Sequence, residues 1–397
     1  MNCDKVPEPP GKLWALHATG CHPFVINTCI NLLESTLLYK GFATLPNLIL
    51  SKVTRVNFMA LRWLLTLLLV VPVSGIAQIH PDVPTGPLQV RNLSPIVQLY
   101  GLPRMTGARI VDRLHTTFNI EAANNFQSEA RDNTFAFFDG ETYVASYRVR
   151  GRMPDLLTER WAPAAAMEWG FEVPYVAHTG GGLDGLVDEF HELFGLPDGE
   201  RSLARRGRLD YLVQSDGVVY ADFDDSQRVL GDVRGFAAYQ VFSKPRSAFI
   251  IRSQLKLPTG SVRRLSGSKG WDVSVWGEYE RVFALEKRSL RLSLGAGFSY
   301  LGEGELIPDA QEHWVGIGHV GLQYALSNWV ELHAQLDAHS EILDTGNPLV
   351  ANGGVLGTLG GRVKVTPKMW VDLAIIEDLE AKSASDVVFQ VLLGARF

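Results

Sequence analysis

The sequence has 397 residues, with 37 Lys and Arg against 43 Asp and Glu, for a net charge of −6. A mildly acidic chain with no long basic run lacks the phosphate-neutralising surface that a nucleic-acid partner needs. Its three cysteines, Cys3, Cys21 and Cys29, all fall in the first tenth, so no later segment can supply a disulfide or a thiolate metal site.

Residues 1–58 show no clear periodicity and hold all the cysteines. The next stretch, "MALRWLLTLLLVVPVSGIAQ", starts at Met59 and has three parts. Arg62 makes a short basic start, Trp63 to Val73 is apolar, and Gly75 and Ala77 place small residues where a signal peptidase reads. That is a secretory signal, with cleavage expected after Ala77. The apolar run is short for a membrane span and contains Pro72. The expectation is a non-native leader over 1–58, a signal over 59–77, and a mature chain over 78–397.

Strands are predicted near Leu114–Ala123, Thr142–Gly151 and Ala165–Val176. "LDGLVDEFHELFGLP" breaks the pattern. Leu183, Leu186, Val187, Phe190 and Phe194 follow helical spacing, and Gly195 with Pro197 ends the run. This predicts a short amphipathic helix over 183–195. "GGGLDG" at Gly180–Gly185 has the glycine spacing of a phosphate-cradling turn, but no strand–helix repeat surrounds it, so it reads as a joint into the helix. His191 and Arg201 stand out on and after the helix. Without a placed partner they read as polar groups that cap or plug a lumen.

From about residue 205 the alternation is persistent. In "SLRLSLGAGFSY", Leu290, Leu292, Leu294, Ala296, Phe298 and Tyr300 share one face. In "WVELHAQLDAH", Val330, Leu332, Ala334, Leu336 and Ala338 oppose Glu331, His333, Gln335, Asp337 and His339. Successive strand side chains point to opposite faces, so each strand has an oily side and a wet side.

Three features separate a membrane barrel from a soluble sandwich. The strands run to about ten residues, the length of a tilted bilayer crossing. Linkers alternate between tight, such as "SKPR", "LEKR", "LSN" and "TPK", and long, such as "GEGELIPDAQE" and "EILDTGNPLVANGG". Aromatic residues gather at strand ends: Trp271, Tyr300 and Trp314 near long linkers, and Tyr324, Trp329, Trp370 and Phe397 near short ones. The fold expected is an all-β transmembrane antiparallel barrel of about 12 strands, with 14 if "SPIVQLYG" also pairs. Bacterial single-chain barrels take even numbers.

The chain ends "FQVLLGARF", with Phe389, Val391, Leu393 and Phe397 on one apolar face. That ending is similar to the carboxyl-terminal signal read by the barrel-assembly machinery. With signal, helix and barrel in place, residues from about Gly86 to Phe397 resemble a family of uncharacterised Gram-negative outer-membrane proteins, the domain-of-unknown-function family 3187. "GPLQVRNLSPIVQLYGLPR", "FFDGETYVASYRVRGRM" and "LDGLVDEFHELFGLPDGER" carry the likeness. The resemblance implies an outer-membrane barrel and brings no activity.

No cofactor is expected. His333 and His339 lie roughly 20 Å apart along a strand, too far to share a metal. Asp337 and His339, about 6.6 Å apart, could work with a third group from a neighbouring strand. No nucleophile-elbow pattern surrounds a serine, so an enzyme is the less favoured reading. The expected function is a channel or uptake protein for small solutes. The alternatives are an outer-membrane lipid-modifying enzyme and a structural or adhesive barrel. Glu331, His333, Gln335, Asp337 and His339 would line the lumen, and the helix would restrict the pore or cover its periplasmic mouth. The partners expected are outer-membrane lipid, the assembly machinery and a small solute.

Overall fold

The computed structural model describes residues 85–154, 166–183, 185, 189, 207–285, 288–379 and 384–397. The predicted leader, the signal, His191 and Arg201 lie outside the described residues, as does most of the predicted helix. Gly185 and Glu189, within it, are helical.

The described residues form fifteen strands. They are β1 (His115–Arg131), β2 (Thr134–Arg152), β3 (Met167–Thr179), β4 (Asp210–Ser215), β5 (Val218–Phe223), β6 (Gln227–Leu230), β7 (Arg234–Lys244) and β8 (Ser247–Lys256). Then follow β9 (Asp272–Leu285), β10 (Arg288–Leu301), β11 (Trp314–Ala325), β12 (Val330–His339), β13 (Gly354–Thr366), β14 (Met369–Asp378) and β15 (Val387–Arg396).

Twelve of them close a ring. β1 pairs with β2, β2 with β3, β3 with β7, and β7 to β15 follow in order. The seam is antiparallel pairing of β1 with β15, from His115 opposite Arg396 to Asn124 opposite Val387. No edge is left, which satisfies every ladder without a partner chain. The other three strands extend one rim. β4 pairs with Thr134–Asp139 of β2, β5 pairs with β4, and β6 pairs with Tyr175–His178 of β3.

The antiparallel order defines two mouths. Phe397 and the start of β1 lie at the proximal one, where Phe397 N–H donates to Leu114 O at 2.9 Å. The connections at 245–246, 326–329 and 367–368 are tight and proximal. Those at 257–271, 302–313 and 340–353 are long and distal. Two tight turns are distal: β1 and β2 outrun the ring and turn at Asp132 and Asn133, both at positive φ (47° and 63°), and β4 turns into β5 beside them at Asp216 and Gly217, where Asp, Asn and Gly are the residues that tolerate it.

Outward side chains are exposed and apolar: Phe118 and Ile120 on β1, Phe171 and Tyr175 on β3, Leu322, Leu336, Leu359, Leu373, Val391 and Leu393 further round. A band of this kind faces water only at high cost and suits hydrocarbon. Trp271 and Trp314 are exposed at the distal rim, where the Tyr300 ring meets the first tilted at 5.6 Å and the second edge-on at 5.1 Å. Trp329 is exposed at the proximal rim, near Tyr324, whose hydroxyl accepts from Arg288 at 2.6 Å.

Trp370 departs from the expected girdle. It is 2% exposed and points inward. It shares parity with Asp372 and Ala374 on β14, which are also buried. Its ring lies across Gly394 on β15, where a Cβ would come within 2.0 Å of Trp370 Cε2. The missing side chain makes the space.

"SPIVQLYG" adds no strand. Val97–Leu99 is a 3-10 turn inside the ring, and residues 86–105 are buried throughout. This segment rises from Thr85, turns at Val97–Leu99, and descends to Asp112, so two irregular chains fill the lumen as an inner hairpin. At the distal mouth its tip (Ile96, Val97, Leu99, Tyr100) packs against Phe138, Tyr211 and loop residues Leu265, Leu306, Ile342 and Val350. Leu88, Val90 and Leu93 meet Val144, Leu356, Ile376 and Val388 of the wall. The lumen is therefore part apolar, where a wholly polar one was expected.

Candidate functional site

An irregular segment inside a ring has backbone groups that no ladder satisfies, and each left unpaired would be costly. Wall side chains supply the partners. Gln335 on β12 accepts from Leu88 N at 3.0 Å and donates to Leu88 O at 3.1 Å, copying a strand pairing with one amide. Gln390 on β15 donates to Gln89 O at 2.8 Å. Gly101 N–H donates to Asp272 at 2.7 Å, and Gly101 O accepts from Gln254 and Ser274. Thr106 and Gly107 donate to Glu278, and Val111 donates to Glu168 at 2.8 Å.

Three ionic belts back these contacts. Near the hairpin tip, Lys256 Nζ reaches Leu99 O (3.0 Å), Asp232 (2.7 Å), Asp272 (3.1 Å) and Ser268 (2.5 Å), with the whole side chain out of solvent. Lower down, Arg104 makes a paired contact with Glu121 at 2.7 and 2.6 Å. Glu172 takes Arg148 and Arg234. Nearest the proximal mouth, Glu168 takes Arg150 and Arg252, each at 2.8 Å, and Arg109 of the hairpin pairs with Glu280. Beside this belt lies a cavity of about 10 Å³, lined by Gln89, His115, Arg150, Arg362 and Trp370 among others. That is room for about one water.

The five predicted wall residues split. Glu331 accepts from Lys364 at 2.8 Å, with His333 3.8 Å away. Gln335 holds Leu88, and His339 meets Asn92 of the hairpin at 3.1 Å. Asp337 does find a group from a neighbouring strand, His319 on β11, but His339 does not join them. His319 Nδ1 lies 2.8 Å from Asp337, and its Nε2 lies 3.1 Å from Ser293 Oγ on β10. Sequence singled out Asp337 and missed Ser293, because cross-strand register is not written in one strand's pattern.

Ser293, His319 and Asp337 have the partner order of a hydrolytic relay. The serine, however, is buried, and its oxygen also accepts from Gln323 at 2.9 Å. The hairpin covers it, since Met105 Sδ lies 2.8 Å from where a Cβ on Gly295 would sit. No substrate carbonyl can approach within attacking distance. With the hairpin docked, a fluorophosphonate should leave Ser293 unlabelled; intact-mass detection of one adduct, lost in Ser293→Ala, would show the opposite.

The insert after β3 begins at the distal mouth. There Leu183 N–H donates to Glu141 Oε1 at 2.5 Å, and a side chain on Gly181 would collide with the Glu141 carboxylate. This chain's own carboxylate occupies the place where a glycine turn would hold a phosphate.

Comparison with solved structures finds other barrels at low identity. The COG4313 outer membrane channel from Pseudomonas putida F1 is 12% identical, with 73% of this chain and 97% of that chain covered, at a TM-score of 0.48. The transport unit of the autotransporter AIDA-I from Escherichia coli is 8% identical over 72% and 90%, at 0.40. The toluene transporter TodX of P. putida is 10% identical over 72% and 91%, at 0.35. No curated protein sequence matches. The model of a family described as protein of unknown function, DUF3187, matches residues 64–397. Ring, inner hairpin and insert all fall within that match: the chain belongs to the DUF3187 family.

Proposed function

We propose that this protein is an outer-membrane channel for small polar solutes, closed by its inner hairpin. One observation carries the reading: the lumen is filled by a segment outside the ring's ladder, not by the ring's own interlocked side chains. At 4.7–4.9 Å between strands and a tilt of about 40°, a twelve-strand ring has a backbone diameter of roughly 24 Å. Inward side chains leave a passage on the order of 10 Å, enough for a hydrated small solute once the hairpin departs. The wall would then show Glu121, Arg148, Glu168, Glu172 and Glu278 to water.

The orientation follows from the loops. Short turns lie in the periplasm and long ones outside in barrels of this kind, so the proximal mouth is periplasmic and the distal mouth, where β3 ends, is external. Export would use the segment before Ala77. The outward face of β15, with Phe389, Val391, Leu393 and Phe397, would be read by the assembly machinery. Deleting Phe397, which also removes its bond to Leu114, should lower the amount of barrel in the outer membrane. Equal amounts of wild type and truncated chain in membrane fractions would refute that role.

The channel itself is tested by a bridge. No cysteine lies in the mature chain, so Met105→Cys with Gly295→Cys adds a single pair between hairpin and wall. In a planar bilayer the oxidised protein should stay shut and the reduced one should show openings. A barrel that is silent in both states, and silent without the hairpin, is not a channel.

A further inference from the structure

We propose that the lumen holds a small inorganic anion between Arg91, Arg104 and Arg234, where the hairpin meets the wall. The site does not rest on conduction.

Four guanidinium groups share this part of the lumen with two carboxylates. Arg91 is 6% exposed and lies in the field of Arg234 and Arg104, and of Glu121 and Glu172. Both carboxylates are already spent. Glu121 is held by both terminal nitrogens of Arg104. Glu172 gives one oxygen to Arg148 and the other to Arg234 at 3.0 Å. Among the described residues Arg91 makes no ion pair, and its Nε and Nη1 have no hydrogen-bond partner. The Nε atoms of Arg104 and Arg234 are also without one; Arg104 Nε stands 4.0 Å from Glu172, too far to bond.

Two neighbouring groups are balanced charge for charge. Arg150 and Arg252 face Glu168 and Glu278. Arg362 and Lys364 face Asp372 and Glu331. The Lys256 knot has one carboxylate in surplus, but Asp232 and Asp272 are committed to Lys256 and to the N–H groups of Gly260 and Gly101.

An arginine cannot shed its proton at ordinary pH. A buried charge without a counter-charge is one of the costliest features a protein can hold. Free N–H groups from three guanidiniums are the donors that an inorganic anion accepts from. Two of the three arginines ride on the hairpin and one on β7, so the anion would tie the hairpin to the wall.

The test uses the full chain, purified in detergent and exchanged into sodium gluconate at fixed ionic strength. Sodium phosphate and sodium chloride are titrated separately, and the thermal midpoint is followed by tryptophan fluorescence. The wild type should rise saturably with phosphate, with chloride or with both, which also identifies the anion class. Arg91→Met should respond at least an order of magnitude more weakly. In gluconate alone it should melt at or above the wild type, because it removes an uncompensated charge. Arg228→Gln, an exposed change on β6, should respond as the wild type does. Calorimetric titration of the wild type should give about one site per chain, and keeps the proposal falsifiable if Arg91→Met does not fold. A wild type indifferent to both anions, or an Arg91→Met response equal to it, overturns the site.

Discussion

Deleting residues 78–112 should turn a barrel that is shut most of the time into one that conducts steadily, with time-averaged current up by more than an order of magnitude. The hairpin precedes β1, so its removal cuts no ladder of the ring. The seam of ten residue pairs between β1 and β15 is untouched. The wall carboxylates and guanidiniums that lose hairpin partners gain water in the same step, which limits the cost of losing them. Folding of the deleted form is checked by heat-modifiable migration on a gel and by its β-sheet circular dichroism. Among the described residues the distal cap is the element placed to spoil this result, because Leu265, Leu306 and Val350 lose the hairpin tip they pack on. Should they collapse inward, the current would be small, and changing Leu265, Leu306 and Val350 to Ser as well should restore it. A folded, hairpin-less barrel with those three changes that carries no current would end the channel reading.

Lys256→Met should be the most damaging single substitution in the lumen. It replaces one ammonium with a thioether and leaves Asp232 and Asp272 buried as carboxylates with no cation. Breaking a buried pair by removing one partner costs about 3–5 kcal/mol, and here two carboxylates are stranded. Leu99 O and Ser268 lose a donor in the same change. The thermal midpoint should fall, and protease should cut near Val97–Leu99 at low concentrations that spare the wild type. Adding Asp272→Asn to Lys256→Met should recover part of the loss, because the stranded charge, not the lost methylene packing, sets the cost. A double-mutant cycle measures that coupling. If both changes simply add, the ionic knot is not what holds the tip.

The ring was legible because its signal is local. Leu290 to Tyr300 and Val330 to Ala338 alternate without needing any partner, and Trp271, Trp314 and Trp329 mark the rims they sit on. β4, β5 and β6 alternate like ring strands while only adding to its rim, so alternation by itself does not separate ring strands from rim strands. The hairpin was not legible for the opposite reason. "SPIVQLYG" has the composition of a strand, but its backbone is bonded by side chains such as Gln335, Gln254 and Lys256, which lie 150 residues and more away. Trp370 could have been placed from its shared parity with Asp372; proximity to a turn outweighed that. The Ser293–His319–Asp337 relay depends on the registers of two strand pairs, and neither register is set by pattern alone.

The wall grips the hairpin largely by its peptide groups. Leu88, Gln89, Leu99, Gly101, Thr106, Gly107, Ile110 and Val111 are each held by main-chain N–H or C=O. The barrel is thus a receptor for an extended peptide, and its ligand is tethered three residues from the first strand. A tethered ligand of this reach rebinds as though present at about millimolar concentration. A free peptide of the same sequence would compete poorly with it. What opens such a lumen must weaken the grip itself, by supplying charge to the wall or by pulling on the chain from the proximal side.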